Sequence, residues 1–244
     1  NFKKELIKFK CDQALILGGI YFFNHIPCTI IMQNLLPFDE VNIKKYRFIK
    51  KLKLFLQKKF FLSSILRAKN IIFLSKSSKK IILKSLNLKI NNCKIIHHGI
   101  DNKLVKRKIS KKKYFDKIKN FKILYVSKIE FYKNQTDLIK AAYYLYKKNY
   151  NIKVTFVGPA YEPALKKFIQ MQKNYDPKKI FTEYLGSKSF KETLNIYKNY
   201  DLHVIPSTCE TFGQIVIEAM SQGIPNACSN LEVFREVTNN NAMF

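Results

Sequence analysis

Short apolar segments alternate with segments of helical periodicity along almost the whole chain. Ala14–Leu17 and Cys28–Met32 have the length of buried strands, and the lysine-rich region 41–69 carries apolar residues at helical spacing. The same alternation returns in the second half, from a strand at 121–127 to a last helix near Glu232. Strands that alternate with helices favour parallel sheets covered by helices. The sequence therefore predicts an α/β fold.

The alternation is interrupted once, between residues 102 and 120, where hydrophobicity falls and lysines cluster. A polar stretch of this kind between two periodic regions is typical of a linker. We therefore predict a first Rossmann-like domain at 1–107, a linker at 108–120 and a second Rossmann-like domain at 121–244.

The composition narrows the class of protein. A hydrophobic content of 47% is that of a globular chain and excludes a disordered one. The net charge of +28 favours an anionic partner, but only four of the 45 basic residues are arginine, the residue best suited to phosphate and base recognition. An anionic membrane surface is therefore a better candidate than nucleic acid. Five scattered cysteines without a Cys-x-x-Cys pair are typical of reduced thiols in a cytoplasmic protein.

The stretch from Pro206 to Met220 has the pattern of a ligand site at the end of a strand. It follows the apolar strand 201–205 and contains Glu210, then Phe212-Gly213 at a helix start, then Glu218 within that helix. Backbone amides at a helix start bind anions, helped by the helix dipole. The pattern predicts a site for a phosphate-bearing ligand whose hydroxyl groups the two glutamates hold. Two glutamates eight residues apart also occur as ordinary surface charges, and this alternative stays open.

Residues 205–225 read Ile-Pro-Ser-x-x-Glu-x-Phe-Gly-x-x-x-x-Glu-Ala-Met-x-x-Gly-x-Pro. This pattern resembles the retaining glycosyltransferases of family 4 (glycosyltransferase group 1), which have the GT-B fold of two Rossmann-like domains. The resemblance is strongest over residues 121–236. It implies an acceptor-side first domain and a second domain that binds a nucleotide-sugar donor. It also implies that the first domain is incomplete at its N-terminus and that the chain is truncated at its C-terminus.

The resemblance implies a role for each residue of this stretch. Glu218 would hydrogen-bond the ribose of the donor nucleotide. Glu210 would be a catalytic residue that touches the hydroxyl groups of the donor sugar. The amides of Phe212 and Gly213 would hold sugar or phosphate, and Thr211 belongs to the same donor-binding set.

A second anchor, at residues 125–135, leaves the first strand of the second domain and contains Lys128 and Lys133. Where this chain has Ser127 and Lys128, the family has glycine and arginine, whereas it has lysine at the place of Lys133. Lysine keeps the positive charge but loses the bidentate geometry of arginine. The resemblance therefore implies that both lysines act in catalysis by neutralising the leaving diphosphate, with Lys133 the closer match. Two surface lysines without a function are the alternative.

These roles together predict an enzyme, a retaining, hexosyltransferase-like glycosyltransferase. It would move a sugar from a nucleotide-diphosphate-sugar donor to a glycan or lipid-linked acceptor, as in cell-surface polysaccharide or glycolipid synthesis. We expect no metal and no cofactor besides the donor substrate, because the chain has no Asp-x-Asp and its four histidines lack ligand spacing. We expect a cytoplasmic protein, peripheral at the inner face of the membrane. A non-catalytic sugar-nucleotide-binding module and a basic nucleic-acid-binding protein are the alternatives.

Overall fold

The computed structural model describes residue 5 and residues 8–23, 25–101 and 120–244. It divides into two compact units. The first unit is formed by Asn1–His98 together with Cys209–Phe212, and the second by Gly99–Thr208 together with Gly213–Phe244. The predicted linker 108–120 lies outside the described residues except for Asn120, and the predicted domain boundaries stay a prediction.

The first unit contains a parallel four-stranded sheet in the order β1-β2-β3-β4. Its strands are β1 Ala14–Leu17, β2 Cys28–Met32, β3 Asn70–Phe73 and β4 Cys93–Ile95, and its helices are α1 Glu40–Ile43, α2 Phe48–Arg67 and α3 Lys76–Leu86. Helix α3 begins at a capping box, in which the Ser75 side chain accepts a hydrogen bond from the Ser78 amide, and it ends at Asn87 in the left-handed conformation.

Helix α2 packs on this sheet through one face only. Leu54, Phe61 and Ile65 are buried, and the ring of Phe61 lies 5.4 Å from that of Phe38. Other large apolar side chains of the same helix stay exposed. A straight helix carries only one stripe of residues toward a sheet, so a helix that is apolar on several faces cannot bury all of them. Among the described residues, no helix combines the length and the apolar character needed to cross a bilayer.

The second unit contains a parallel five-stranded sheet in the order β7-β6-β5-β8-β9. Its strands are β5 Phe121–Val126, β6 Ile152–Val157, β7 Thr182–Tyr184, β8 Leu202–Ile205 and β9 Asn226–Cys228. Its helices are α4 Gln135–Lys147, α5 Glu162–Tyr175, α6 Phe190–Tyr197, α7 Gln214–Ser221 and α8 Glu232–Thr238. The fully buried Val154, Phe156 and Ile139 lie at the centre of its core. The predicted α/β fold with parallel sheets is confirmed.

Candidate functional site

The strand order of the second unit reverses at β5. The chain runs from β5 outward to β6 and β7, and then returns to the other side of β5 to form β8 and β9. The loops that leave β5 and β8 therefore start from neighbouring strands at the same edge of the sheet. In open α/β sheets, ligands bind at this kind of switch point, beyond the carboxyl ends of the strands.

Hydrogen bonds join these two loops directly. The Thr208 amide donates to the Tyr132 carbonyl at 2.8 Å, and the Asn134 side-chain amide donates to the Pro206 carbonyl at 2.9 Å. Asn134 itself has a left-handed backbone conformation, with φ of 52°. The structure thus brings the loop that carries Lys128 and Lys133 against the start of the stretch that carries the predicted glutamates.

Lys128 and Lys133 occupy different surroundings on the β5 loop. The Lys128 ammonium lies 3.7 Å from a carboxylate oxygen of Glu130, whose side chain is almost completely buried. The Lys133 ammonium lies 5.3 Å from the centre of the Tyr132 ring. Part of the positive charge of Lys128 is therefore balanced within the chain. Sequence reasoning assigned no role to Glu130, because nothing in its spacing indicates that its carboxylate is buried beside Lys128.

Gly213 is required at the start of helix α7. Its φ is +84°, and a Cβ atom at this position would lie only 2.7 Å from Cε1 of Phe234. A residue with a side chain would be strained in this conformation and would also collide with the Phe234 ring. The helix itself begins at Gln214, one residue later than predicted, because Gly213 is the N-cap.

Glu218 lies half-buried on α7, one turn beyond Gln214. Burial raises the pKa of the Glu218 carboxyl, and interactions with the Gln214 and Tyr197 side chains lower it in part. The Tyr197 phenol is fully buried, and its pKa is raised well above 10.0, first by burial and then by the Glu218 carboxylate. The Tyr197 hydroxyl approaches that carboxylate, but it makes no hydrogen bond of regular geometry within the described part of the chain.

Glu210, Thr211 and Phe212 lie in the segment Cys209–Phe212, which belongs to the first unit. The Thr211 carbonyl accepts a hydrogen bond from the Ser75 hydroxyl at 2.8 Å, and its own hydroxyl donates to the Gln33 carbonyl at 3.0 Å. The ring of Phe212 lies 5.4 Å from each of the imidazoles of His97 and His98. The half-buried Glu210 is therefore carried by a backbone segment whose neighbouring residues are held in place.

Within the described residues, no group of three or more His, Cys, Asp or Glu side chains is placed to hold a metal ion. The second unit contributes two ammonium groups, the Gly213 amide at the start of α7 and the Glu218 carboxylate. Such groups suit a ligand that combines an anionic part with hydroxyl groups.

A family model described as glycosyl transferases group 1 matches residues 106–243, which is more than half of the chain. The chain belongs to this family. The match contains Lys128, Lys133, Glu210 and Glu218, so all four of these residues lie within the family's own region. None of the curated protein sequences compared with the chain matches it.

Solved structures with a similar fold are GT-B glycosyltransferases. The structure of Anabaena Alr3699/HepE in complex with UDP and glucose has a TM-score of 0.62 at 20% identity, covering 86% of this chain and 54% of that chain. WaaG, a glycosyltransferase involved in lipopolysaccharide biosynthesis, has a TM-score of 0.70 at 12% identity, covering 98% of this chain and 65% of that chain. An E. coli structure of trehalose-6-phosphate bound with UDP-2-fluoro glucose has a TM-score of 0.66 at 11% identity, covering 95% of this chain and 62% of that chain.

At these identities the similarity establishes the fold alone. The chain spans between 54% and 65% of the length of these three proteins. The similarity therefore confirms the predicted fold of GT-B type.

Proposed function

We propose that the protein is a retaining, metal-independent glycosyltransferase of family 4, which moves a sugar from a nucleotide-diphosphate-sugar to a glycan or lipid-linked acceptor. The observation that carries this proposal is the switch point of the second unit. There, the loop with Lys128 and Lys133 is hydrogen-bonded to the loop that leads into the Gly213 helix start and Glu218. Membership of the glycosyl transferases group 1 family supports the same conclusion.

Each group has a physical task in this proposal. Negative charge grows on the diphosphate as the glycosidic bond breaks, and fixed cations and amides stabilise that charge. Lys128, Lys133 and the amides of Phe212 and Gly213 provide this stabilisation, with part of the charge of Lys128 already balanced by Glu130. Glu218 accepts hydrogen bonds from the ribose.

Glu210, with Thr211 beside it, faces a different part of the donor in this proposal. A carboxylate accepts hydrogen bonds from hydroxyl groups, and Glu210 binds those of the donor sugar. Its segment is held by the hydrogen bonds of Thr211 to the Ser75 hydroxyl and the Gln33 carbonyl, so the carboxylate needs little ordering when the sugar arrives.

Uridine donors are the first to test, because the similar structures named above contain UDP, or UDP-2-fluoro glucose, as bound ligands. The protein would be incubated with a panel of sugar nucleotides and acceptors, with and without EDTA, and the products followed by mass spectrometry. We expect acceptor-dependent release of one nucleoside diphosphate that EDTA does not reduce. Binding without release would indicate a non-catalytic module. Salt-sensitive binding to nucleic acid without a donor preference would indicate the third alternative.

We also propose that helix α2 contacts an anionic membrane surface on the cytoplasmic side, where lipid-linked acceptors lie. The helix contains no acidic residue, and its lysines stand among apolar side chains that are between 43% and 82% exposed. These exposed side chains are Phe48, Ile49, Leu52, Phe55, Leu56, Phe60 and Leu66. Among the apolar residues of this helix, only the buried Leu54, Phe61 and Ile65 and the half-buried Leu62 fit the alternative that the helix faces its own sheet.

Charge and apolar surface on one helix match the surface of an anionic bilayer, where each basic residue adds about 1 kcal/mol. We expect the protein to co-float with anionic vesicles at low salt, to stay unbound with zwitterionic vesicles, and to be released by high salt. Replacing Phe48 and Phe55 by serine should reduce flotation, whereas replacing the exposed Tyr144 and Tyr150 of the second unit should not. Without flotation at low salt, the lysines of α2 are only a solvated face.

A further inference from the structure

The hydroxyl of Tyr125 lies at the centre of the joined loops. Tyr125 is the second-last residue of β5, and its ring is buried in the core of the second unit, 6.2 Å from the ring of Phe156. Its hydroxyl donates to the Lys133 carbonyl at 2.7 Å and lies 3.2 Å from the Ser207 hydroxyl oxygen. A buried core side chain thus contacts both loops with its one polar atom.

Three consecutive residues of the β5 loop are held in this way. The Tyr132 carbonyl accepts hydrogen bonds from the amide and, at 3.2 Å, from the hydroxyl of Thr208. The Lys133 carbonyl accepts one from Tyr125, and Asn134 donates one to Pro206. Because Lys133 lies in the middle of these three, the position of its Cα atom is determined on both sides.

We propose that Tyr125 is a positioning residue of the donor site, which holds the backbone of Lys133 against Ser207 and thereby sets where the Lys133 ammonium meets the donor diphosphate. This inference rests on the proposed function. A lysine side chain has several rotatable bonds, so its ammonium is confined only if its backbone is already fixed. Fixed charge near a phosphate stabilises it without reorganisation when the ligand binds.

A purely structural tyrosine would behave differently from a positioning one. A loss of packing would weaken the whole site, including the part that binds the nucleoside. Loss of the hydroxyl alone keeps the buried ring and disturbs only the Lys133 backbone, so the defect should appear with the diphosphate and not with the nucleoside. It should also depend on the presence of the Lys133 ammonium.

The experiment compares Tyr125→Phe with the unchanged protein by calorimetric titration of UDP, UMP and uridine. We expect the variant to bind UDP about threefold to tenfold more weakly, the loss typical of one hydrogen bond, and to bind uridine unchanged. In a Lys133→Ala background, Tyr125→Phe should have no further effect on UDP binding. Ser207→Ala removes the other partner of the Tyr125 hydroxyl. It should likewise weaken the binding of UDP and leave the binding of uridine unchanged.

Tyr184→Phe is the matched control. Its hydroxyl donates to the Gly158 carbonyl at 2.8 Å, so the substitution removes a comparable hydrogen bond from the same sheet, and UDP binding should not change. Thermal unfolding of all variants shows whether they fold. If Tyr125→Phe does not fold, the UDP affinity of Ser207→Ala tests the role of the Tyr125 hydroxyl.

The outcomes separate the two proposals. If the unchanged protein binds neither UDP nor any other nucleoside diphosphate of the panel, the proposed function is wrong and the role of Tyr125 with it. If another diphosphate binds, it replaces UDP as the probe. If the unchanged protein binds but Tyr125→Phe binds equally well, or weakens diphosphate and nucleoside alike, only the role of Tyr125 is wrong. An effect that persists without the Lys133 ammonium leads to the same conclusion.

Discussion

Acid should destabilise the second unit through one histidine. His203 is fully buried on β8, and burial lowers its pKa from the ordinary 6.5 to about 4. The Asn226 side-chain amide donates to the carbonyls of Val216 and Ile224, so its oxygen faces Nδ1 of His203 at 2.8 Å. Nδ1 therefore carries the proton of the neutral ring. Nε2 has no hydrogen-bond partner within the described residues, so a second proton there would be buried without an acceptor.

The size of the effect follows from this pKa. A pKa that is lower in the folded than in the unfolded chain contributes stability that is complete above the unfolded value and is lost as the pH falls toward the folded value. With pKa values of 6.5 and about 4, lowering the pH from about 7.5 to about 5 should remove about 2 kcal/mol of unfolding free energy. The uncharged Tyr197 ring, whose centroid lies 5.5 Å from that of the imidazole, offers no charge to compensate.

The assay is urea unfolding at the two pH values, followed by circular dichroism because the chain contains no tryptophan. His203→Gln keeps an amide that can donate to Asn226 but cannot titrate, so it should lose about 2 kcal/mol less than the unchanged protein over this interval. His25→Gln, at an exposed histidine, is the matched control and should behave like the unchanged protein. An equal loss in His203→Gln and in the unchanged protein would refute the argument.

Two substitutions at the candidate site should separate backbone strain from ligand contact. Gly213→Ala should lower the unfolding free energy by about 1–3 kcal/mol through the strain of its positive φ, and by a further amount through the collision with Phe234. Gly186 also has a positive φ but lies in open space, so Gly186→Ala should show the loss from strain alone. Urea unfolding decides this, and equal losses in both variants would rule out the collision. Glu218→Ala should weaken UDP binding by about 1.5–3 kcal/mol, the contribution of a charged hydrogen bond. It should not destabilise the fold at neutral pH, because burial disfavours the Glu218 carboxylate; equal calorimetric affinities would contradict the ribose assignment.

Local sequence was sufficient for most of the secondary structure. The predicted bounds of Ala14–Leu17 and Cys28–Met32 agree with the strands observed, and the strand predicted at 201–205 begins one residue later, at Leu202. Hydrophobic periodicity and helix caps act over a few residues, so they can be read from the chain directly. The same holds for the spacing of Glu210 and Glu218, because it is a property of one continuous stretch and indicates the family without any knowledge of the fold.

The faces of helix α2 could not be assigned from its sequence. Phe55 and Phe61 have the same chemistry and lie on the same helix, yet Phe55 is exposed and Phe61 is buried. The periodicity of a helix that is apolar on several sides does not say which side meets a sheet. Only the position of the sheet decides this, and it leaves Phe48 and Phe55 to solvent.

The surroundings of the candidate site were decided by the order of the strands. The residues Tyr125 and Ser207 are 82 positions apart in sequence, and their hydroxyls meet because β8 returns to lie beside β5. The burial of Glu130 beside Lys128 likewise depends on packing around the β5 loop and on no local pattern. The sequence by itself determined the strands, the helices and the charged groups that we propose for the donor site. The tertiary structure decided which backbone atoms hold those groups, because contacts between distant segments depend on strand order, and no local periodicity encodes that order.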